Sequence, residues 1–281
     1  MVEQALGRSY QAALAATPGW RQAEPIDGTR VTHMCLILFA WRPGHELPLV
    51  VAANRDEFHA RPSLPLAHWE EAPGVYAGRD LEAGGTWMGV GPDGRFAALT
   101  NIRDPAQPLG LRSRGELVAG FLRGDGSPGD YLGEVAARAG DYSGFNLLVG
   151  NRERLYYLHA RQPTPLELGA GVYGLCNAAL DTPWPKLLRA RQALAERLNA
   201  PHAERLLELL ADPTPAADAQ LPNTGVGLDT ERLLSSVFIA SGHYGTRASS
   251  ALIVRADGGR EFHERRFGPN GARLGEVRLK L

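Results

Sequence analysis

The stretch from Met34 to Pro62 constrains the fold more than any other part of the chain. Residues 35–41, Cys-Leu-Ile-Leu-Phe-Ala-Trp, are an unbroken apolar run; residues 42–46 are turn-like, and residues 49–53 return as a second apolar run. Runs this short, bounded by polar, Pro and Gly residues, read as two buried strands rather than as a helix. The second run gives way to four polar residues, Asn54-Arg55-Asp56-Glu57. A strand that is apolar along its length and polar at its tip points that tip at solvent, a partner or a site. The charges there either tie down a hairpin end or carry chemistry.

The chain of 281 residues is long enough for one large domain or two small ones. A formal net charge of -1 argues against a general electrostatic grip on nucleic acid or an acidic membrane. No apolar run approaches the ~20 residues of a spanning helix. Two cysteines, Cys35 and Cys176, make neither a disulfide scaffold nor a cysteine-based zinc site, which points to a reducing cytoplasm. The eight histidines show no metal-ligand spacing, so neither a metal nor a cofactor is expected. Residues 1–33 are polar and interrupted by Pro18, Pro25 and Gly28, without the apolar core of a secretory signal. They read as a disordered extension, a leader, or a misassigned start with translation beginning at Met34, the last being favoured.

Further along, Pro92-Asp93-Gly94 is a turn signal ahead of a strand over residues 95–101. Ser113 and Glu116 have capping-box spacing before Leu117, Val118, Phe121 and Leu122, so a helix starts there, and a second is expected over 130–139. Residues 145–149 and 155–159 flank a hairpin, and 172–177 form another strand. An amphipathic helix is predicted over 186–198, another over 202–210, a surface loop over 212–228, and closing strands over 236–240, 248–254 and 261–267. With no internal linker or repeat, residues 34–281 read as one domain. Antiparallel strand pairs with helices clustered between strand blocks give an α+β class with sheet-rich layers.

Three strands end alike, in Asn54, Asn101 and Asn177. An asparagine amide both donates and accepts, so two converging at strand ends make a donor pair for a developing oxyanion. Alternatively, each Asn caps its own turn.

Taken together, Met34-Cys35, Ala53-Asn54-Arg55-Asp56-Glu57-Phe58, Gly84-Gly85-Thr86-Trp87, Leu99-Thr100-Asn101, Ser113-Arg114-Gly115, Gly144-Phe145-Asn146, Tyr173-Gly174-Leu175, Leu180 to Lys186 and Tyr244-Gly245-Thr246-Arg247 resemble the NRDE proteins. The eukaryotic members of that family are called transport and Golgi organisation protein two. The family in turn resembles the cysteine N-terminal-nucleophile hydrolases of the penicillin V acylase and bile-salt hydrolase type. That resemblance implies a four-layer αββα sandwich of two mainly antiparallel sheets and hydrolysis of a non-peptide C–N amide bond in a small amphipathic metabolite. Carried over, Cys35 is the nucleophile and, through its own α-amine, the base. Asp56 orients that amine, Asn101 and Asn177 lie near the oxyanion, and Arg247 is the late arginine of the site. Asn54, Arg55 and Trp87 are expected to contact substrate. The hydrolases place their site arginine ahead of the asparagine, whereas here Arg55 follows Asn54. The mechanism further requires Cys35 to become residue one. The competing expectation is a non-catalytic carrier of haem or an acyl-CoA or lipid-type ligand on the same fold. The oligomeric state is left open.

Overall fold

Residues 34–107 and 109–281 are described by the structure, a computed structural model; the expectations for residues 1–33 lie outside the described residues. The chain begins with antiparallel β1 (Met34–Trp41) and β2 (Leu49–Phe58), followed by β3 (Ser63–His68), β4 (Tyr76–Asp80), β5 (Met88–Val90) and β6 (Phe96–Asn101). Two helices follow, α1 (Gly115–Arg123) and α2 (Pro128–Ala137). Then come β7 (Phe145–Gly150), β8 (Leu155–His159), β9 (Gln162–Glu167) and β10 (Gly171–Leu175). Helices α3 (Pro185–Arg197), α4 (Ala203–Leu209) and α5 (Leu228–Leu234) lead to β11 (Tyr244–Val254), β12 (Arg260–Phe267) and β13 (Arg273–Lys280).

The strands form two antiparallel sheets, ordered β10-β1-β2-β11-β12-β13 and β3-β4-β5-β6-β7-β8-β9. Side chains alternate across a strand, so a run that is apolar at every position must be covered on both faces. That is the case for β1. Leu36, Leu38 and Ala40 share one core with Leu187, Ala190 and Leu194 of α3 and Leu206 and Leu207 of α4. Ile37, Phe39 and Trp41 face the other way and meet Phe96, Ala98 and Leu148 of the second sheet. The outer face of that sheet, through Ala97, Leu99, Leu147 and Val149, packs on Leu117, Val118, Phe121 and Leu122 of α1 and Leu132 and Val135 of α2. The protein is therefore an α+β sandwich in four layers, helix–sheet–sheet–helix. Among the described residues no helix is long and apolar enough to cross a membrane.

Local chemistry accounts for the helix starts. Ser127 caps α2 by accepting from the Asp130 amide, with Pro128 in the first turn. Pro185 opens α3, whose Leu187, Ala190 and Leu194 recur at the spacing of one helical face. At Gly85 a Cβ would lie 2.3 Å from the carbonyl carbon of Gly115, and the Thr86 amide donates to the Gly115 carbonyl at 3.2 Å. Only a glycine lets the loop after β4 lie this close to the first turn of α1.

Several elements differ from the sequence expectation. The polar quartet Asn54–Glu57 is not a tip but an interior part of β2, because Asp56 has Met34 on one side and Thr246 on the other. Residues 236–240 form bends rather than a strand, and the loop expected over 212–228 leads directly into α5. Strands β3, β4, β9 and β13 lie in segments to which the sequence pattern assigns no strand. Of these, β9 and β13 are sheet edges, mostly exposed, and carry little of the apolar signal that marks a strand.

Asn54 braces the first sheet to the helical layer. Its Nδ2 donates to the carbonyls of Leu210 at 3.0 Å and Val237 at 2.8 Å, and its Oδ1 accepts from Ser249 Oγ at 2.6 Å. All three partners are buried, so Asn54→Leu strands two carbonyls and a hydroxyl, each loss costing ~1–3 kcal/mol. Denaturant unfolding of Asn54→Leu is expected to show a stability loss of about 3 kcal/mol or more. A loss below about 1 kcal/mol would show that the brace contributes little.

Candidate functional site

Pairing of β1 with β10 begins at Ile37 and Leu175, and the same register continued places Asn177 opposite Cys35. There the Cys35 backbone N–H donates to Asn177 Oδ1 at 3.1 Å, while Asn177 Nδ2 donates to the main-chain carbonyl of Asn101 at 2.8 Å. A donor on one side and an acceptor on the other fix which way the amide faces. The Arg103 amide donates to the Asn177 carbonyl at 2.7 Å, and the Thr100 hydroxyl to that of Cys176. Asn146 extends the network, donating to Thr100 Oγ1 at 3.0 Å and the Ala178 carbonyl at 2.8 Å while accepting from Tyr157 at 2.6 Å. The start of β1 is thus tied to the end of β6 in the opposite sheet. Asn101 contributes its backbone carbonyl to this join, and its residue is half-buried at the strand end.

Asp56 lies one position beyond the Cys35–Arg55 cross-strand pair, on the same sheet face as Asn54. Thr246 Oγ1 donates to Asp56 Oδ1 at 2.7 Å, whereas Asp56 Oδ2 is buried without a partner. Burial pushes this carboxyl up to about 6, against the opposing pull of Lys186 and the Thr246 hydrogen bond. Lys186, in the first turn of α3, is also buried with an unpartnered ammonium, and burial lowers its pKa. Asp56 and Cys176 act on it in the opposite direction.

Cys35 shares its other face with Arg55, its direct cross-strand neighbour. The Arg55 guanidinium lies 4.5 Å over the Trp87 ring and 3.7 Å from Glu57, which is also 3.7 Å from Arg61. Arg247 occupies a β-bulge: Thr246 pairs with Asp56 and Ala248 with Arg55, leaving Arg247 as the extra residue between them. Its Nη1 donates to the carbonyls of Phe58 at 2.8 Å and Arg61 at 2.9 Å. Arg114, reaching the Gly144 carbonyl at 3.3 Å, is depressed to about 10 by burial and by Arg61, while Cys35 and Glu57 act the other way. Arg55, Trp87 and Arg247 line one cavity of ≈ 40 Å³ together with Glu264 and Arg266.

The Cys35 thiol is pushed up to about 12, first by burial and then by the negative charge of Asp56. With Cys35 joined to Met34 by a peptide bond, this sulfur is a neutral thiol near pH 7 and a weak nucleophile. The nitrogen that shares its residue is the one held by Asn177.

Of the residues expected from sequence, Cys35 and Asn177 meet at the β1 end, where Asn101 contributes its main-chain carbonyl; Asp56 lies one strand position away on the helical face, and Arg55, Trp87 and Arg247 line the inter-sheet cleft. Asn54 lies on the opposite face from Arg55, toward the helices. Lys186 and Arg114 were missed as site neighbours. A sequence signal existed for Lys186: a cation in the first turn of a helix opposes the helix dipole and calls for a nearby anion. Elsewhere, Glu204, His263 and Glu276 bring ligand-type atoms within 4.8 Å of one another. Arg265 lies 2.8 Å from Glu204 and 3.0 Å from Glu276, so these carboxylates already serve an ion-pair network.

Comparison with known proteins places this geometry in a family. The family description "Transport and Golgi organisation 2" matches residues 34–269. The chain is 36% identical over 255 residues to the human Transport and Golgi organization protein 2 homolog, covering 83% of this chain and 92% of the relative. The mouse homolog is 34% identical with the same coverage, and the Drosophila melanogaster protein is 30% identical over 264 residues, 82% of this chain and 91% of its own length. The chain belongs to the Transport and Golgi organisation 2 family.

Proposed function

We propose that this protein is a cysteine N-terminal-nucleophile hydrolase that cleaves the C–N bond of an amide in a small amphipathic molecule once Cys35 carries a free α-amine. The observation that carries this reading is the hydrogen bond from the Cys35 nitrogen to Asn177 Oδ1, 3.1 Å, in a network anchored on the second sheet. An amine held there has its lone pair within reach of its own sulfur. The family match beginning at residue 34, one position before this cysteine, supports the same reading.

In the proposed reaction the Cys35 amine takes the thiol proton, and the thiolate attacks the amide carbon. Collapse of the tetrahedral adduct breaks the C–N bond, and the ammonium proton goes to the leaving nitrogen. Water, deprotonated by the same amine, then hydrolyses the thioester, releasing the acid and restoring the thiol. A free α-amine titrates at about 7.7–8.0, suited to both transfers near neutrality. Asp56, with one buried oxygen unpartnered, holds and orients that amine. Asn101 and Asn177 flank the position of the developing oxyanion, and Arg55, Trp87 and Arg247 contact the substrate from the cleft, with Asn54 bracing β2 from behind. The competing carrier reading, for haem or an acyl-CoA-type ligand, draws on the high pKa of the thiol in the chain with residues 1–34 attached.

The decisive comparison uses the chain starting at Cys35 and the full 281-residue chain, with turnover of a panel of acyl amides followed by mass spectrometry. The shortened form is expected to hydrolyse at least one amide through an acyl-cysteine adduct, with Cys35→Ser losing more than about 10³-fold. Ligand binding without turnover or adduct by either form would favour the carrier.

The pH profile gives a second prediction. Activity should fall first as the Cys35 amine protonates at about 7.7–8.0 and, because the active form also needs Asp56 ionised and its carboxyl is raised to about 6, more steeply as pH drops through about 6. Because Lys186 pulls the Asp56 pKa down, Lys186→Met is expected to move the lower, Asp56-dependent acid limb to higher pH. An unmoved or lowered limb in the kcat/KM profile would remove Asp56 from the proposed role.

A further inference from the structure

Arg114 precedes α1 and is brought to the Cys35 end of β1 by two independent routes of contact. Along one, Asn177 joins the Cys35 nitrogen to the Asn101 carbonyl, the Ile102 amide donates to the Gly144 carbonyl at 2.9 Å, and Arg114 Nη1 reaches that same carbonyl at 3.3 Å. Along the other, Arg55, the cross-strand neighbour of Cys35, lies 4.5 Å over the Trp87 ring, and the adjoining Thr86 amide donates to the Gly115 carbonyl at 3.2 Å. Alternation along β1 turns Cys35 toward the second sheet, opposite to Leu36, which packs with the helices. The thiol and the Arg114 guanidinium therefore approach the same end of the inter-sheet cleft from opposite sheets.

The other arginines near this end are committed. Arg61 pairs with Asp80 and Glu82, Arg103 with Glu231 and Arg112 with Glu116, while Arg247 Nη1 donates to two carbonyls. Among the described residues no carboxylate makes an ion pair with Arg114, and its bond to Gly144 is long at 3.3 Å. Burial and Arg61 depress it only to about 10, so it stays charged near neutrality, and Cys35 is the foremost group opposing that fall. A half-buried cation with no acid of its own gains most where negative charge develops, and here that charge develops on the Cys35 sulfur.

We infer that Arg114 is a catalytic residue, whose guanidinium holds the negative charge as it passes from the Cys35 sulfur to the oxygen of the attacked carbonyl. This role rests on the hydrolase reading. The thiol proton moves to the α-amine, a sulfur lone pair forms the C–S bond, and the carbonyl π pair becomes the oxyanion. That pair returns as the C–N bond breaks and the leaving nitrogen takes the proton. A guanidinium suits both positions of the charge, because its five donors are fixed in one plane and it stays protonated throughout.

The test has two readouts, so that failure of the hydrolase reading and failure of the Arg114 role are told apart. In the full chain, alkylation of Cys35 by iodoacetamide is followed by peptide mass spectrometry, which reports Cys35 separately from Cys176. At a fixed pH of about 9, Arg114→Met is expected to slow that alkylation about 10-fold or more, since loss of a nearby opposite charge lowers the thiolate fraction. Arg114→Lys, which keeps the charge, should stay within about threefold of the parent. Arg112→Met, which removes an exposed charge two positions away, is the control and should change nothing. In the chain starting at Cys35, Arg114→Met should lower kcat about 10²- to 10³-fold, the loss seen when one oxyanion donor is removed. Should Arg114→Met fail to fold, Arg114→Gln carries both readouts, because it keeps a donor for the Gly144 carbonyl and drops the charge. A Cys35 alkylation rate within about twofold of the parent in the neutral variant overturns the role even if no amide is turned over. Slowed alkylation with kcat unchanged overturns it as well, by removing Arg114 from the chemistry.

Discussion

The amide of Asn177 is the join on which the site depends. It accepts from the Cys35 nitrogen in one sheet and donates to the Asn101 carbonyl in the other, at 3.1 and 2.8 Å. Two packed sheets are held mainly by non-directional apolar contact, which fixes their separation better than the position of any one atom. A two-ended amide converts that contact into a positional constraint on a single nitrogen. The surrounding bonds, from Arg103, Thr100, Asn146 and Tyr157, hold the 176–178 segment so that Asn177 has little freedom to turn away.

The alternation of β2 divides the work of its polar quartet. Asn54 and Asp56 face the helical layer, where Asn54 is satisfied by scaffold carbonyls and Asp56 meets Thr246 and the field of Lys186. Arg55 faces the inter-sheet cleft and lies over Trp87. One strand thereby supplies a brace, a buried acid and a cation without a loop, and its central place between β1 and β11 holds the backbone rigid on both sides. The bulge at Arg247 is the one departure from regular pairing along this border, and it adds a side chain to the cleft that strict alternation would not supply.

Burying Asp56 and Lys186 with unpartnered polar atoms on each is expensive for a fold that could have used apolar residues there. Burial raises the acid and lowers the base, which brings both titrations nearer to neutrality, while the attraction between the two opposes each shift. Such arrangements concentrate where proton position matters, and Asp56 sits one strand position from Arg55, the cross-strand neighbour of the cysteine whose nitrogen Asn177 holds.

The sequence by itself determined the layers and a set of candidate site residues. The apolar runs of β1 and β2 demand cover on both faces, the helical stripes of α1 and α3 supply it, and the Met-Cys, Asn-Arg-Asp-Glu and Asn-terminated motifs name the candidates, among which Asn54 serves the scaffold and Asn101 joins through its main-chain carbonyl. It misplaced the Asn54–Glu57 quartet at a tip because pairing on both flanks is a long-range fact, invisible in local pattern. Edge strands β9 and β13 were silent because half-exposed strands carry mixed polarity. Only the tertiary structure decided which face each charge took, since a single bulge or register step reverses it. It alone brought Arg114, Lys186, Glu264 and Arg266 to the site, because burial and electrostatic field arise from atoms far apart in the chain.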